Sequence, residues 1–258
     1  MEGLQGIFDP HAHYDDEAFA PDREEVLASL AGAGVEAVMN IGADLESSRA
    51  AAELARTHDF IWAAVGVHPH GAADLPENWL RQLEELAALP KVRAIGEIGF
   101  DYHYDAGWKE AQRRAFEEQL RLAARLSLPV VIHDREAHGD TMELLRQYRP
   151  AGVVHCYSGS AEMAKEVLSL GMYVGFTGVV TFKNARKALE AAEVVPLDRL
   201  LVETDCPYMA PEPFRGRRCD SAMLPYTIQK LAQVKGVSPQ ELARAAAENA
   251  RRLFAIPG

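Results

Sequence analysis

Cysteine is scarce in this 258-residue chain: Cys156, Cys206 and Cys219 are odd in number and widely spaced, which excludes a disulfide framework and suits reduced thiols. Long apolar runs are missing as well. No stretch reaches the roughly 20 residues needed to cross a bilayer, and the start, MEGLQGIFDPHAH, lacks the basic and then apolar layout of a signal peptide. These absences point to a cytoplasmic protein without membrane contact. Positive charge is also in short supply, with 27 Lys and Arg against 38 Asp and Glu and a net charge of −11. Such a balance opposes non-specific attraction to nucleic acid, so a polyanionic substrate would have to be drawn in locally. Bound divalent cations could do this, as could the short cluster Arg215, Arg217 and Arg218.

What is present is an ordinary globular balance, 48% hydrophobic and 25% charged, with no linker and no low-complexity stretch. A chain of this length buries roughly three quarters of its unfolded surface and supports one core without staples, so residues 1–258 are expected to form a single domain. Short apolar, β-branched runs recur at Gly6–His13, Val35–Ile41, Ile61–Val67, Val92–Ile98, Pro129–His133, Gly152–His155, Met172–Phe176 and Leu200–Glu203. Between them lie stretches with apolar residues at three- and four-residue spacing: Asp22–Ala33, Glu46–His58, Trp79–Leu89, Lys109–Leu126, Thr141–Tyr148, Ala161–Leu170 and Ala185–Glu193. Eight strands alternating with helices are the arithmetic of a (β/α)8 TIM barrel, with an open doubly wound sheet as the alternative. Two further helices, Met223–Val234 and Ser238–Leu253, follow the last strand. Ser238, Pro239 and Glu241 read as the second one's N-cap, first-turn proline and capping acid.

Active sites of parallel barrels collect at the carboxyl ends of the strands. Here the apolar runs finish in chemistry-bearing residues: Asp9, His11 and His13 on the first, Glu97 on the fourth, His133 on the fifth, His155 on the sixth, and Glu203 and Asp205 on the eighth, while the third reaches His68. His11 and His13 stand two apart, so in a strand both point the same way and can grip one ion. His58 and His138 belong to helical stretches and His70 and His103 to loops. The remaining histidines and carboxylates converge on one barrel mouth, where a cluster of imidazole and carboxylate donors suits a divalent metal.

The ordered segments Asp9-Pro-His-Ala-His13, Gly66-Val-His-Pro69, Gly96-Glu-Ile-Gly-Phe-Asp101-Tyr, Ile132-His-Asp-Arg135, His155-Cys-Tyr-Ser-Gly159, Glu203-Thr-Asp-Cys-Pro207-Tyr and Glu248-Asn-Ala-Arg-Arg-Leu-Phe254 resemble the TatD-like metal-dependent deoxyribonucleases, a branch of the amidohydrolase-like barrels. The resemblance implies two divalent ions per chain (zinc, manganese or magnesium), with Glu97 bridging, His11, His13 and Asp205 on one side and His133 and His155 on the other. It also implies a hydrolase that cuts phosphodiester bonds in DNA with metal-activated water, from an end and on single strands. Glu97 and Asp205 are the catalytic residues on this reading, Asp205 accepting a proton from the attacking water.

Expected substrate contacts are His68, Arg135, Tyr157, Tyr208, Arg215 and Arg217, with Tyr157 and Tyr208 placed to stack on a base and Ser158 and Gly159 opening a helix that offers N–H groups to an anion. Glu203 is expected behind the ligands, fixing a histidine. The chain departs from the family near Arg217-Arg218-Cys219-Asp220, where Cys219 stands close to the family's usual asparagine; this bears on substrate choice rather than on hydrolytic capacity. Two rivals remain at this point: a binuclear hydrolase of a small phosphoester or amide, and a non-catalytic metal- or partner-binding protein on the same scaffold. Against an amidase, no lysine stands at the fourth or fifth strand end. Against a retired scaffold, no ligand is missing.

Overall fold

The computed structural model describes residues 3–103 and 106–257. Its strands are β1 (Ile7–Ala12), β2 (Val35–Ile41), β3 (Ile61–Val65), β4 (Val92–Asp101), β5 (Val130–Arg135), β6 (Gly152–Val154), β7 (Tyr173–Phe176) and β8 (Leu200–Val202). They are parallel and ordered β1 to β8 in one sheet. Between β8 and β1 the ring is joined just beyond the last strand, where Asp205 N donates to His11 O and His13 N to Cys206 O. The helices are α1 (Arg23–Ser29), α2 (Leu45–Thr57), α3 (Trp79–Ala87), α4 (Lys109–Leu126), α5 (His138–Tyr148), α6 (Ala161–Ser169), α7 (Arg186–Val194), α8 (Leu224–Lys235) and α9 (Pro239–Phe254). This is the TIM barrel expected from the sequence, with the two additional C-terminal helices; the open sheet is excluded. No described helix is long and apolar enough to cross a membrane.

Local chemistry sets the boundaries. Asp44 accepts from Ser47 N while the Ser47 hydroxyl receives Asp44 N, so α2 starts on a reciprocal cap. Ser238 accepts from Glu241 N with Pro239 in the first turn of α9, as the sequence indicates. Strand ends differ more. β4 runs three residues beyond Ile98 to Asp101, and β5 runs past His133 to Arg135, because these two strands stay in register through Gly99 and His133 and on to Asp101 and Arg135. Gly99 makes that pairing possible: it sits at φ +149, and a side chain there would collide with His133 O. The expected helix opening at Ser158 and Gly159 is not found. α6 begins at Ala161, because the Ser160 side chain, in extended conformation, caps it by accepting from Met163 N.

Two packed layers follow from the alternation of strand side chains. Phe8, Met39, Ala64, Ala94, Val131 and Leu201 face the barrel axis and, with Val153 and Tyr173, fill it; Ala247, Ala250 and Phe254 of α9 pack onto this inner cluster. Asn249 Nδ2 donates to Leu197 O and Leu200 O at the start of β8. α9 therefore seals the floor, at the amino ends of the strands, and leaves the opposite mouth for chemistry. The larger core lies between strands and outer helices.

Gln112 and Gln119, seven residues apart on the inner face of α4, each imitate a backbone partner. Gln119 Oε1 accepts from Val67 N at 2.7 Å and its Nε2 donates to Val67 O at 3.0 Å. Gln112 does the same for Asp101 N and O at 3.1 and 3.0 Å. Both loops that rise from β3 and β4 into the mouth are thereby fixed. A Gln119→Ala variant is expected to lose about 2 kcal/mol of unfolding free energy by leaving a buried N–H and C=O unpaired. Urea denaturation reads this, and an unchanged midpoint would contradict the role.

Candidate metal centre

The β1 segment Asp-Pro-His-Ala-His brings three side chains to the mouth, and the structure separates their tasks. Asp9 is fully buried and accepts from Thr204 N, Thr204 Oγ1 (2.6 Å), Ser221 Oγ (2.6 Å) and His11 N. It clasps β1 to the loop after β8. Burial lifts its pKa to about 6 against these four donors. Sequence reading placed Asp9 at a strand end without a role; its signal was a carboxylate beside two serine- or threonine-bearing loop segments, visible only once residues 204 and 221 are known to be neighbours.

The buried carboxylate of Glu97, on β4, is the hub. Its oxygens lie 3.5 Å from His11 Nε2, 3.7 Å from His13 Nε2, 3.8 Å from His68 Nε2, 2.7 Å from His133 Nδ1 and 2.6 Å from His155 Nε2. Asp205 Oδ1 closes the other side at 3.5 Å from His11 and 3.4 Å from His13. The rings are held from behind. His13 Nδ1 donates to Ile41 O at 2.8 Å, and His133 Nε2 donates to Asp101, which turns the remaining nitrogens inward. His11 and His155 stack at 3.9 Å with an interplanar angle of 8°. Glu203 sits beneath, its Oε1 accepting Cys156 N at 2.6 Å and standing 3.8 Å from His155 Nδ1. Gly175 has no side chain because one would strike the Glu203 carboxylate. Asp205 and Cys156 adopt left-handed backbone (φ 61 and 42), a conformation that non-glycine residues hold at a cost of order 1 kcal/mol or more and that concentrates at functional sites.

Among the described residues three overlapping donor groups emerge, the ligand atoms of each within 4.8 Å of one another: His11, His13 and Asp205; His11, Glu97 and His155; and His68, Glu97 and His133. The donor set fits cations. His11 Nε2 and His13 Nε2 face each other at 3.1 Å, and His155 Nε2 and His133 Nδ1, 3.4 Å apart, both converge on Glu97, so the ring nitrogens crowd one space in which an ion could be held. Two imidazoles with one carboxylate in each group suit zinc or manganese more than magnesium.

Charge is shared unevenly. Burial holds His11 down at about 4 and His68 at about 3, with neighbouring imidazoles adding to it. Burial also acts to lower His13 and His133, but hydrogen bonds and charge from Asp205 and Glu97 lift His13 to about 9, and Asp101 and Glu97 lift His133 to about 10. Burial works to raise Glu97, yet the imidazoles around it keep it well below the usual carboxylate range. Below about pH 9 the raised histidines hold protons that an incoming ion must displace. Divalent-ion affinity is therefore expected to rise with pH through the neutral range, about tenfold per pH unit for each proton displaced, and to level off above about pH 10. Isothermal titration in buffers of different ionisation heat measures the protons released; a pH-independent affinity with none released would contradict it.

The other residues singled out in the sequence divide into two sets. His68 belongs to the cluster itself, within one of its donor groups, rather than standing outside it as a substrate contact alone. Arg135 lines the mouth on both sides of the cluster. Tyr208 lies at the rim, 55% exposed, its hydroxyl donating to Asp16. Tyr157 is buried, donates to Ser160 O and packs near Phe176, so its ring is largely covered. Arg215 and Arg217 lie over Phe182 and Phe214. Arg218 is tied to Asp22 by two bonds of 2.7 and 2.6 Å. Cys219 is buried and lines neither cavity at the mouth. His58 pairs with Glu24 away from the cluster, and His138, on α5, with Asp134 of β5. His70, set aside as a loop residue, stands 3.2 Å from Asp101, the partner of His133. Asp101 stands in one of the family-like segments but was given no role there, and the two α4 glutamines carry no mark in local sequence.

A parallel eightfold barrel whose open mouth gathers histidines around a buried glutamate is the architecture of a metal-dependent hydrolase. The TatD-related DNase family matches residues 8–255 of this chain. A metal-dependent hydrolase of Bacillus subtilis, YabD, is 41% identical over 253 residues, covering 97% of this chain and 99% of the relative. The 3'-5' ssDNA/RNA exonuclease TatD of Citrobacter rodentium is 37% identical over 258 residues, covering 97% and 98%. Among solved structures, the TatD homologue YJJV of Escherichia coli superposes with a TM-score of 0.92 at 32% identity, covering 98% of this chain and 99% of the other. The chain belongs to the TatD-related DNase family and is a metal-dependent hydrolase of that type.

Proposed function

We propose that this chain, acting as one domain over residues 1–258 in the cytoplasm, hydrolyses phosphodiester bonds in DNA, from the end of a single strand, with two divalent ions held by His11, His13, Glu97, His133, His155 and Asp205. The observation that carries this reading is Glu97, one buried carboxylate with five imidazoles within 4 Å, a donor set large enough for two cations bridged by a single side chain. The relative from Citrobacter rodentium, named as a single-strand exonuclease, supports the substrate class. Free thiols at Cys156, Cys206 and Cys219 suit a reducing compartment.

When bound, the ions would supply Lewis-acid stabilisation of the phosphoryl oxygens and lower the pKa of a water. The chain's own residues do the rest. Asp205, held in left-handed backbone at the rim of the cluster, accepts the proton of the attacking water and orients it in line. Glu203, 3.8 Å from the buried Nδ1 of His155, offers the carboxylate that would orient that ring from behind. Arg135 and His68 contact phosphate oxygens, and the exposed ring of Tyr208 offers a face to the terminal base.

The test is hydrolysis of end-labelled single-stranded DNA by metal-stripped protein titrated with magnesium, manganese and zinc, beside a Glu97→Gln control. A metal-dependent ladder growing from one end, absent in the control, is expected. Failure to cleave DNA with any of the metals, while two ions bind and a small phosphodiester is hydrolysed, would overturn the DNA reading.

A further inference from the structure

The mouth is divided into two lobes that share His133, Arg135, Asp205 and Met209; the smaller also carries the buried Asp134, and the two differ in what lies on their outer rims. The larger cavity, about 610 Å³, is rimmed beyond the cluster by Asp15, Asp16 and Asp44. These carboxylates are fixed: Asp15 accepts from Asn40 Nδ2, Asp16 from the Tyr208 hydroxyl, and Asp44 caps α2. The smaller cavity, about 330 Å³, opens on the other side against Ser158, Asn184, Lys187 and the apolar Val179 and Ala188. Met209, 37% exposed and in left-handed backbone (φ 53), lines both and forms the ridge between them. Its position is not free to drift, since Gly178 packs directly against Met209 O and Glu212 N donates to Thr181 Oγ1.

From the smaller lobe a basic surface leads outward. The segment Thr177 to Leu189 contains Lys183, Arg186 and Lys187 and no acid, in a chain whose net charge is −11. All three cations are exposed. Among the described residues no carboxylate pairs with Lys183 or Lys187, and Arg186 meets only Glu190, at 3.6 Å on the surface. Arg215 joins them across space, its guanidinium 4.3 Å from the centre of the Phe182 ring next to Lys183.

We infer that Lys183, Arg186, Lys187 and Arg215 form a track for the phosphate backbone of a single DNA strand, entering the metal centre over the smaller lobe, while the carboxylates of the larger lobe refuse the chain and leave room only for the terminal nucleoside. This inference rests on the reading of the centre as a phosphodiester hydrolase. The physical argument is charge asymmetry. A polynucleotide laid across the whole mouth would have to set its phosphates against Asp15, Asp16 and Asp44, whereas one that ends at the ridge meets cations along its length and carboxylates only near its uncharged end. Strand ends are thereby selected without any lid.

The experiment compares the wild-type chain with the triple variant Lys183→Gln, Arg186→Gln and Lys187→Gln, and with a control that removes the same charge elsewhere, Arg56→Gln, Arg81→Gln and Arg125→Gln, on the outer faces of α2, α3 and α4. Binding of a fluorescent single-stranded 12-mer is followed by anisotropy as salt is raised. The track variant is expected to bind at least tenfold more weakly, and its log–log salt slope to be shallower by about two, the share of three neutralised phosphate contacts on a single strand. The outer-face control should bind as wild type does. Equal binding by the track variant and wild type, or no binding by wild type, overturns the track. Hydrolysis of bis(p-nitrophenyl) phosphate, too short to reach Lys183 and Arg186, is expected to be equal in wild type, in the control and in the double variant Lys183→Gln, Arg186→Gln, which keeps Lys187 at the cavity wall. Its absence in wild type would sink the hydrolase reading separately, and its loss only in the double variant would mean that the segment supports the centre rather than the strand.

Discussion

Glu97→Gln is expected to abolish strand cleavage and to empty both sides of the cluster together. The substitution keeps size and one oxygen but removes the charge that five imidazoles share, so histidines now held beside an anion lose the group that orders them. Loss of a group that merely supports a ligand lowers metal affinity about 10–100-fold; a hub common to two donor groups should cost more than that for both ions. The readout is metal content after dialysis, together with turnover of the single strand at saturating metal. Retention of two ions with near-normal turnover would remove Glu97 from the centre. The fold should survive, because the barrel core does not depend on this carboxylate, and the thermal transition provides that check.

Asp205→Asn should separate binding from chemistry. The side chain touches His11 and His13 only at 3.5 and 3.4 Å, and an amide oxygen can still face the same ion, so with metal in excess the strand should bind as before. What the amide cannot do is take a proton, and loss of a positioned base typically slows turnover by about 10²–10⁴-fold. The expected signature is therefore a fall in kcat with little change in KM. A parallel rise in KM with preserved kcat would show that Asp205 holds substrate instead, and a loss of bound ion would show that it is chiefly a ligand.

The strand–helix alternation that builds the barrel could be read from residue types because each element is bounded by local chemistry: capping residues before α2 and α9, β-branched runs in β2 and β5. The donors were legible for a related reason. In a parallel barrel, the polar residue that ends an apolar run must arrive at the same mouth as its counterparts, so His11, His13, Glu97, His133, His155 and Asp205 could be brought together without coordinates. The supporting groups were hidden because their partners are distant in sequence. Asp9 finds its purpose in Thr204 and Ser221, Gln119 in Val67, and Asp101 in His133. Tyr157 follows a donor histidine and lines the smaller cavity at the mouth, while its hydroxyl is turned to Ser160 O at the start of α6.

The clasp between Asp9 and Thr204 spans 195 residues of chain. His11 and His13 thus stand at β1, Asp205 just beyond β8, and α9 of the floor follows later still in the chain. A chain that has made β1 to β7 owns five of the six donors, His11, His13, Glu97, His133 and His155, but cannot yet bring Asp205 beside His11 and His13. The complete set of six donors therefore comes together only once β8 and the loop that carries Asp205 are in place.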